Sequence, residues 1–217
     1  MLNRPPCVWS FLLCLLATLA GSTAKGQTPT TALQHQLSRI DIGVSGVGEF
    51  NRDSSGTVTV NAQPTPLTLS PGNTLGALVT VRYTKAPLVG LEINYGYARY
   101  TQNFNTIGGV QQNASEYTLG YVAHTPTLFG VHPFVAGGGG AMVFRPTPRG
   151  GLGLQSQVRG AFYYAVGAET TVLSPHFGVR AQLRQVFFTA PDFYANYLSI
   201  EKHTSTIQPG IGVFFRF

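Results

Sequence analysis

Two residues near the carboxyl end, His203 and Ser205, have the types and spacing from which a nucleophile is made. A histidine that takes a hydroxyl proton lets serine attack an ester. Counted back from Phe217 they share a parity, so in an extended strand both face the same side. A bland reading stands beside this one, because a strand end rich in Thr and Ser yields such a pair without catalysis. His35, His124, His132 and His176 show no i, i+4 or His-x-His spacing. His124, His132 and His176 fall near tight turns at one end, where polar interfacial residues explain them more simply than metal capture. Gly137-Gly138-Gly139-Gly140 and Gly150-Gly151-Leu152-Gly153 lack the Lys-Ser/Thr of a phosphate-binding loop. They read as close strand packing and a flexible outer loop. No cofactor is implied.

The largest constellation is electrostatic. Asp41, Glu49, Glu92, Glu116 and Glu169, with Arg82, Arg159, Arg180, Arg184 and Arg216, fall on one face of segments that alternate with period two. From Val89 to Arg99, for example, Val89, Leu91, Ile93, Tyr95 and Tyr97 oppose Gly90, Glu92, Asn94, Gly96 and Ala98. The same test gives strands beginning near Ile40, Leu75, Glu116, Val131, Ala161, Phe177 and Thr206, eight in all. Leu78 breaks the pattern in the second, and the glycine run blurs the fifth. Five acids and five arginines on the small-residue face are expected to pair in a narrow interior.

The links sort the strands into an up-and-down order. Short ones, near 85–88, 125–130 and 174–175, alternate with long ones, near 51–70, 103–114, 146–158 and 190–203. All long links therefore lie at one end, and both termini at the other. The expected fold is all-β: an eight-stranded antiparallel up-and-down transmembrane β-barrel. Its apolar face is uncharged in mid-strand, as lipid requires. Tyr83, Tyr97, Tyr121, Phe144, Phe162, Phe177, Phe187 and Phe215 are placed for an interfacial girdle. An exported soluble barrel with its apolar face inward shares the alternation and is the alternative.

Composition agrees. Only 10% of the 217 residues are Asp, Glu, Lys or Arg, against a usual figure of about 25%, yet mean hydropathy is only +0.09. A soluble surface would carry more charge, and 43% hydrophobic residues exclude a disordered chain. Residues 1–26 read as a signal peptide: Arg4, then an apolar run from Val8 to Ala20, then small residues. That run is short of the roughly 20 residues a helical span needs. Cleavage after Gly26 leaves a short periplasmic leader, 27–39, before a barrel over 40–217. Cys7 and Cys14 leave with the signal, which removes thiolate chemistry. Arg4 and Lys25 leave too, so the net charge falls from +6 to +4 and no nucleic-acid partner is expected.

The terminal run Ile211-Gly212-Val213-Phe214-Phe215-Arg216-Phe217, with the signal and the eight strands, resembles the small outer-membrane barrels of the OmpA/OmpX type. The resemblance covers about 40–217 and is architectural. It implies a monomer in the cell outer membrane, contacts with membrane lipid and lipopolysaccharide, and recognition of Phe215 and Phe217 by the barrel-assembly machinery. No peptidoglycan-binding domain is expected after the barrel, so cell-wall tethering is not carried over from that resemblance. His203 and Ser205 separately resemble the catalytic pair of outer-membrane lipid A deacylases, although Thr206 stands where that family has asparagine. The leading expectation is a structural or surface-interaction barrel plugged by its charges. The alternatives are that deacylase and a narrow carrier of small hydrophobic molecules, whose wall would break at Gly137 to Gly140, Pro146, Pro148 or Pro209.

Overall fold

A computed structural model describes residues 32–60, 63–86, 88–105, 108–193 and 203–217. The expected signal peptide lies outside them. A six-residue helix, α1 (Ala32–Leu37), precedes ten strands: β1 (Ile40–Asn51), β2 (Ser54–Val60), β3 (Gln63–Pro71), β4 (Thr74–Ala86), β5 (Val89–Phe104), β6 (Gly108–His124), β7 (His132–Pro146), β8 (Gln157–Ser174), β9 (Phe177–Thr189) and β10 (His203–Arg216).

Eight of these close a barrel. β1 pairs antiparallel with β4 on one side and with β10 on the other, while β5 joins β4 to β6. First strand meets last, with Ile42 opposite Phe215 and Val44 opposite Val213. Closure leaves the eight strands without a free edge. The glycine run is no gap: Gly137 to Gly140 stay in register with both β6 and β8. Pro209 also keeps its place opposite Leu183.

Two long links are shorter than their sequence suggests. Residues 51–70 fold largely as the β2–β3 hairpin, which leans on the end of β5 through Leu69 opposite Phe104. Residues 103–114 continue β5 and β6, whose ladder runs to Phe104 and Gly108. Asn, Gly and Ser made both stretches look like loops, but main-chain pairing between adjacent antiparallel segments outweighs those propensities.

The faces divide as period two requires. Ile93, Leu119, Val135, Val166 and Ile211 point outward and are exposed. Arg99 and Arg145 point outward in one row, each opposite Asn113, and bound this apolar belt towards the long-link end. The parity of β7 requires a correction: Phe144 is fully buried inside the barrel with Phe134, Ala136 and Met142, so it is not part of a girdle. Leu78, the exception to its strand's pattern, is inward and buried.

Glycine permits this interior. A Cβ on Gly167 would strike the ring of Phe134, and one on Gly178 the ring of Phe214. A Cβ on outward-facing Gly46 would meet nothing within 4 Å. Gly167→Ala and Gly178→Ala should therefore lower the urea midpoint of the refolded barrel, by about 1–3 kcal/mol of overpacking. Gly46→Ala should leave that midpoint nearly unchanged.

Candidate functional site

Layers of different chemistry fill the barrel from the short-turn end upward. In the lowest layer, Arg82 of β4 donates from Nε to Glu92 Oε2 of β5 at 2.8 Å and from Nη1 to Glu169 Oε2 of β8 at 3.0 Å. Arg180 of β9 donates to Glu169 Oε2 and to Asp41 Oδ1 of β1, both at 2.9 Å. Arg216 of β10 reaches Glu169 Oε1 at 3.4 Å, and His124 Nε2 of β6 approaches that oxygen at 3.5 Å. Guanidinium planes suit such shared carboxylates because each carries several donors in a fixed fork. Two aromatic rings complete the layer: Arg82 lies over Phe134 at 4.2 Å and Arg180 over Phe214 at 4.9 Å.

The middle layer mixes one ion pair with amides and hydroxyls. Arg184 of β9 donates to Glu116 Oε1 at 2.7 Å and to Gln208 Oε1 at 2.7 Å, while its guanidinium lies over Tyr163 at 4.5 Å. Tyr163 donates to Glu92 Oε1 at 2.7 Å and links this layer to the one below. Gln208 Nε2 donates to both oxygens of Glu49, at 3.0 and 3.1 Å, and Thr206 Oγ1 donates to Oε2 at 3.2 Å.

Two expected members behave differently. Glu49 has no arginine partner among the described residues and is held by an amide and a hydroxyl. Arg159 pairs instead with Asp192, at 3.1 Å, in the link after β9. That acid was not legible as part of the set, because a link has no strand parity to assign it.

Above these layers an apolar cluster dominates the interior, which the strand reading missed, with Gln112 Nε2 donating to Gln102 Oε1 within it at 3.0 Å. Leu67 and Leu69 of the hairpin pack with Tyr100, Phe104, Val110, Phe144, Phe188 and Phe193 in one buried cluster. Phe193 enters from the β9–β10 link with φ of 50°. That conformation costs a bulky residue about 1–3 kcal/mol. Burial of the ring offsets it, and Gln157 Oε1 fixes the backbone by accepting from Asp192 N and Phe193 N, both at 3.1 Å. Two cavities of about 10 Å³ each adjoin this cluster, one beside Tyr100 and Gln102 and one at the middle layer beside Glu49 and Glu116. Each has room for about one water.

The candidate nucleophile is not assembled. Ser205 Oγ accepts from Gln185 Nε2 at 3.3 Å, and no hydrogen bond joins it to His203 among the described residues. Both residues line an open groove with Arg52, Asp53 and Phe187. Phe215 and Phe217 meet edge to face at 5.3 Å on the outer wall.

Closed pairing of β1 with β10, eight strands and an outward apolar belt can be compared with known architectures. The chain matches OprG of Pseudomonas aeruginosa with a TM-score of 0.61 at 13% identity, over 82% of this chain and 95% of that one. It has the fold of the small eight-stranded outer-membrane barrels. Neisserial surface protein A gives a TM-score of 0.53 at 9% identity, over 82% of this barrel chain and 97% of that one. Outer-membrane protein AlkL gives 0.50 at 16% identity, over 81% and 90%. No family model and no curated protein matches the sequence of this barrel.

The lower layer makes a stability prediction. Glu169→Gln leaves Arg82 and Arg180 short of a shared buried anion, and breaking such a pair costs about 3–5 kcal/mol. Glu49→Gln removes no ion pair and should change stability by under about 1 kcal/mol. Urea unfolding should therefore separate the two variants by about 2 kcal/mol or more.

Proposed function

We propose that this chain is an integral outer-membrane β-barrel with a structural or surface-interaction role, closed to ion flow. The filled interior carries this reading: ion pairs and stacked rings occupy the lower half, and an aromatic cluster with Phe193 occupies the upper half. A narrow eight-stranded barrel whose inward side chains interlock has no continuous aqueous path. The uncharged outward belt favours lipid as the surrounding solvent.

In the orientation proposed, the long-link end faces outward and the short turns face the periplasm. Arg99 and Arg145 then border the outer leaflet, where with Arg149 they meet lipopolysaccharide phosphates by general attraction. Phe215 and Phe217 serve as the signal read by the assembly machinery. A lipid A hydrolase is disfavoured, since Ser205 has no base within hydrogen-bond reach among the described residues.

Cell fractionation with heat-modifiable gel mobility tests the location, and planar-bilayer recording tests closure. The folded protein should sediment with outer membranes, shift on heating and add no conductance steps to a bilayer. Phe217→Ser should lower the heat-modifiable fraction. Soluble periplasmic protein without a shift contradicts the membrane reading, and well-defined unit conductance contradicts the plug.

A further inference from the structure

The lower mouth of the barrel holds a cavity of about 260 Å³, beneath the Ser38–Arg39 turn and between the ends of β4, β6, β7, β8 and β10. We propose that this cavity binds a phosphate group. It goes beyond the structural role above and does not depend on it.

Charge at the mouth is unbalanced. The carboxylate in its wall is Glu169, and that group is taken up from inside the barrel by Arg82 at 3.0 Å and Arg180 at 2.9 Å. Asp41 and Glu92 are likewise engaged, by Arg180 and Arg82. Arg216, a further partner of Glu169, is held only at 3.4 Å, and its side chain is 39% exposed. Three acids and three arginines thus account for one another in this layer. Arg39 is left over: its side chain is half-buried at the cavity wall, and its guanidinium has no partner among the described residues.

His124 also lines the cavity, with its Nε2 turned to Glu169 Oε1. His132 and the hydroxyl of Thr84 stand on the same wall. Arg39, the loosely held Arg216 and the Thr84 hydroxyl thus border a space whose carboxylate among the described residues, Glu169, is already engaged.

An oxyanion answers this arrangement, because it brings acceptors and negative charge where donors and positive charge are in excess. Phosphate fits better than a carboxylate: it presents more oxygens to two arginine forks and carries more than one negative charge near neutral pH. The cavity also has room for part of whatever bears the phosphate. That source is the free ion, a soluble phosphate ester or a phospholipid headgroup.

Inorganic phosphate titrated calorimetrically into the full chain, refolded in a maltoside detergent at constant ionic strength, tests the site. Saturable one-to-one binding is expected, weakened about tenfold or more by Arg39→Gln, the loss of one charge-assisted contact. Since Arg39 has no internal partner, that variant should keep its heat-modifiable mobility. Arg145→Gln, which removes the same charge at the opposite end, should bind as the parent does. Competition by glycerol phosphate would assign a soluble ester. Loss of phosphate binding in phosphatidylglycerol nanodiscs, but not in phosphatidylcholine ones, would assign a lipid headgroup. Absence of saturable binding, or equal weakening by Arg39→Gln and Arg145→Gln, would overturn the proposal.

Discussion

The Glu169 carboxylate is the point on which the interior depends. From β8 it accepts Arg82 of β4, Arg180 of β9 and Arg216 of β10, and it is approached by His124 of β6. These strands lie at different places around the wall, so one anion ties them across the lumen. Burying it alone would be prohibitive. Burying it among guanidinium groups whose other donors reach Asp41 and Glu92 turns a liability into a cross-brace. Other features follow from making room for it. Phe134 and Phe214 supply flat faces for the arginines, and Gly167 and Gly178 yield the space those rings occupy.

The upper half solves the same packing problem by other means. Its strands carry Tyr100, Val110, Phe144 and Phe188 inward, and the hairpin and the β9–β10 link add Leu67, Leu69 and Phe193. An apolar cap above a charged base gives the barrel two kinds of interior. The base holds strands in register through directional bonds, whereas the cap fills the lumen mainly through close packing of side chains. Between them Glu49 is held by Gln208 and Thr206, at the level where ion pairing gives way to neutral donors.

Much of this was legible from alternation. Outward Leu91, Ile93 and Tyr95, inward Glu92 and Arg82, and the inward exception Leu78 all follow from period two, because a lipid-facing strand tolerates no slip. What escaped has a physical cause in each case. Phe144 is apolar, and an apolar residue satisfies parity equally well facing lipid or facing an apolar cap. The β2–β3 hairpin interleaves its strand formers Thr57 to Val60 and Leu67 to Leu69 with Ser, Gly and Pro, and those breakers gave the stretch the look of a loop. Asp192 is brought to Arg159 by a link whose path no periodicity describes. His203 and Ser205 had the right types and parity, but catalysis also needs a hydrogen bond between base and nucleophile, and sequence spacing does not specify that.

A water-excluded, fully engaged charge layer is open to direct test. Solvent exchange of arginine side-chain Nε–H protons, measured by nuclear magnetic resonance on the barrel in lipid, reports each guanidinium separately. Sealed pairing predicts slow exchange at Arg82 and Arg180, whose side chains are 1% and 3% exposed, and fast exchange at Arg216, which is 39% exposed. Rapid exchange at Arg82 and Arg180, equal to that at Arg216, would show a wet lumen and contradict the closed barrel.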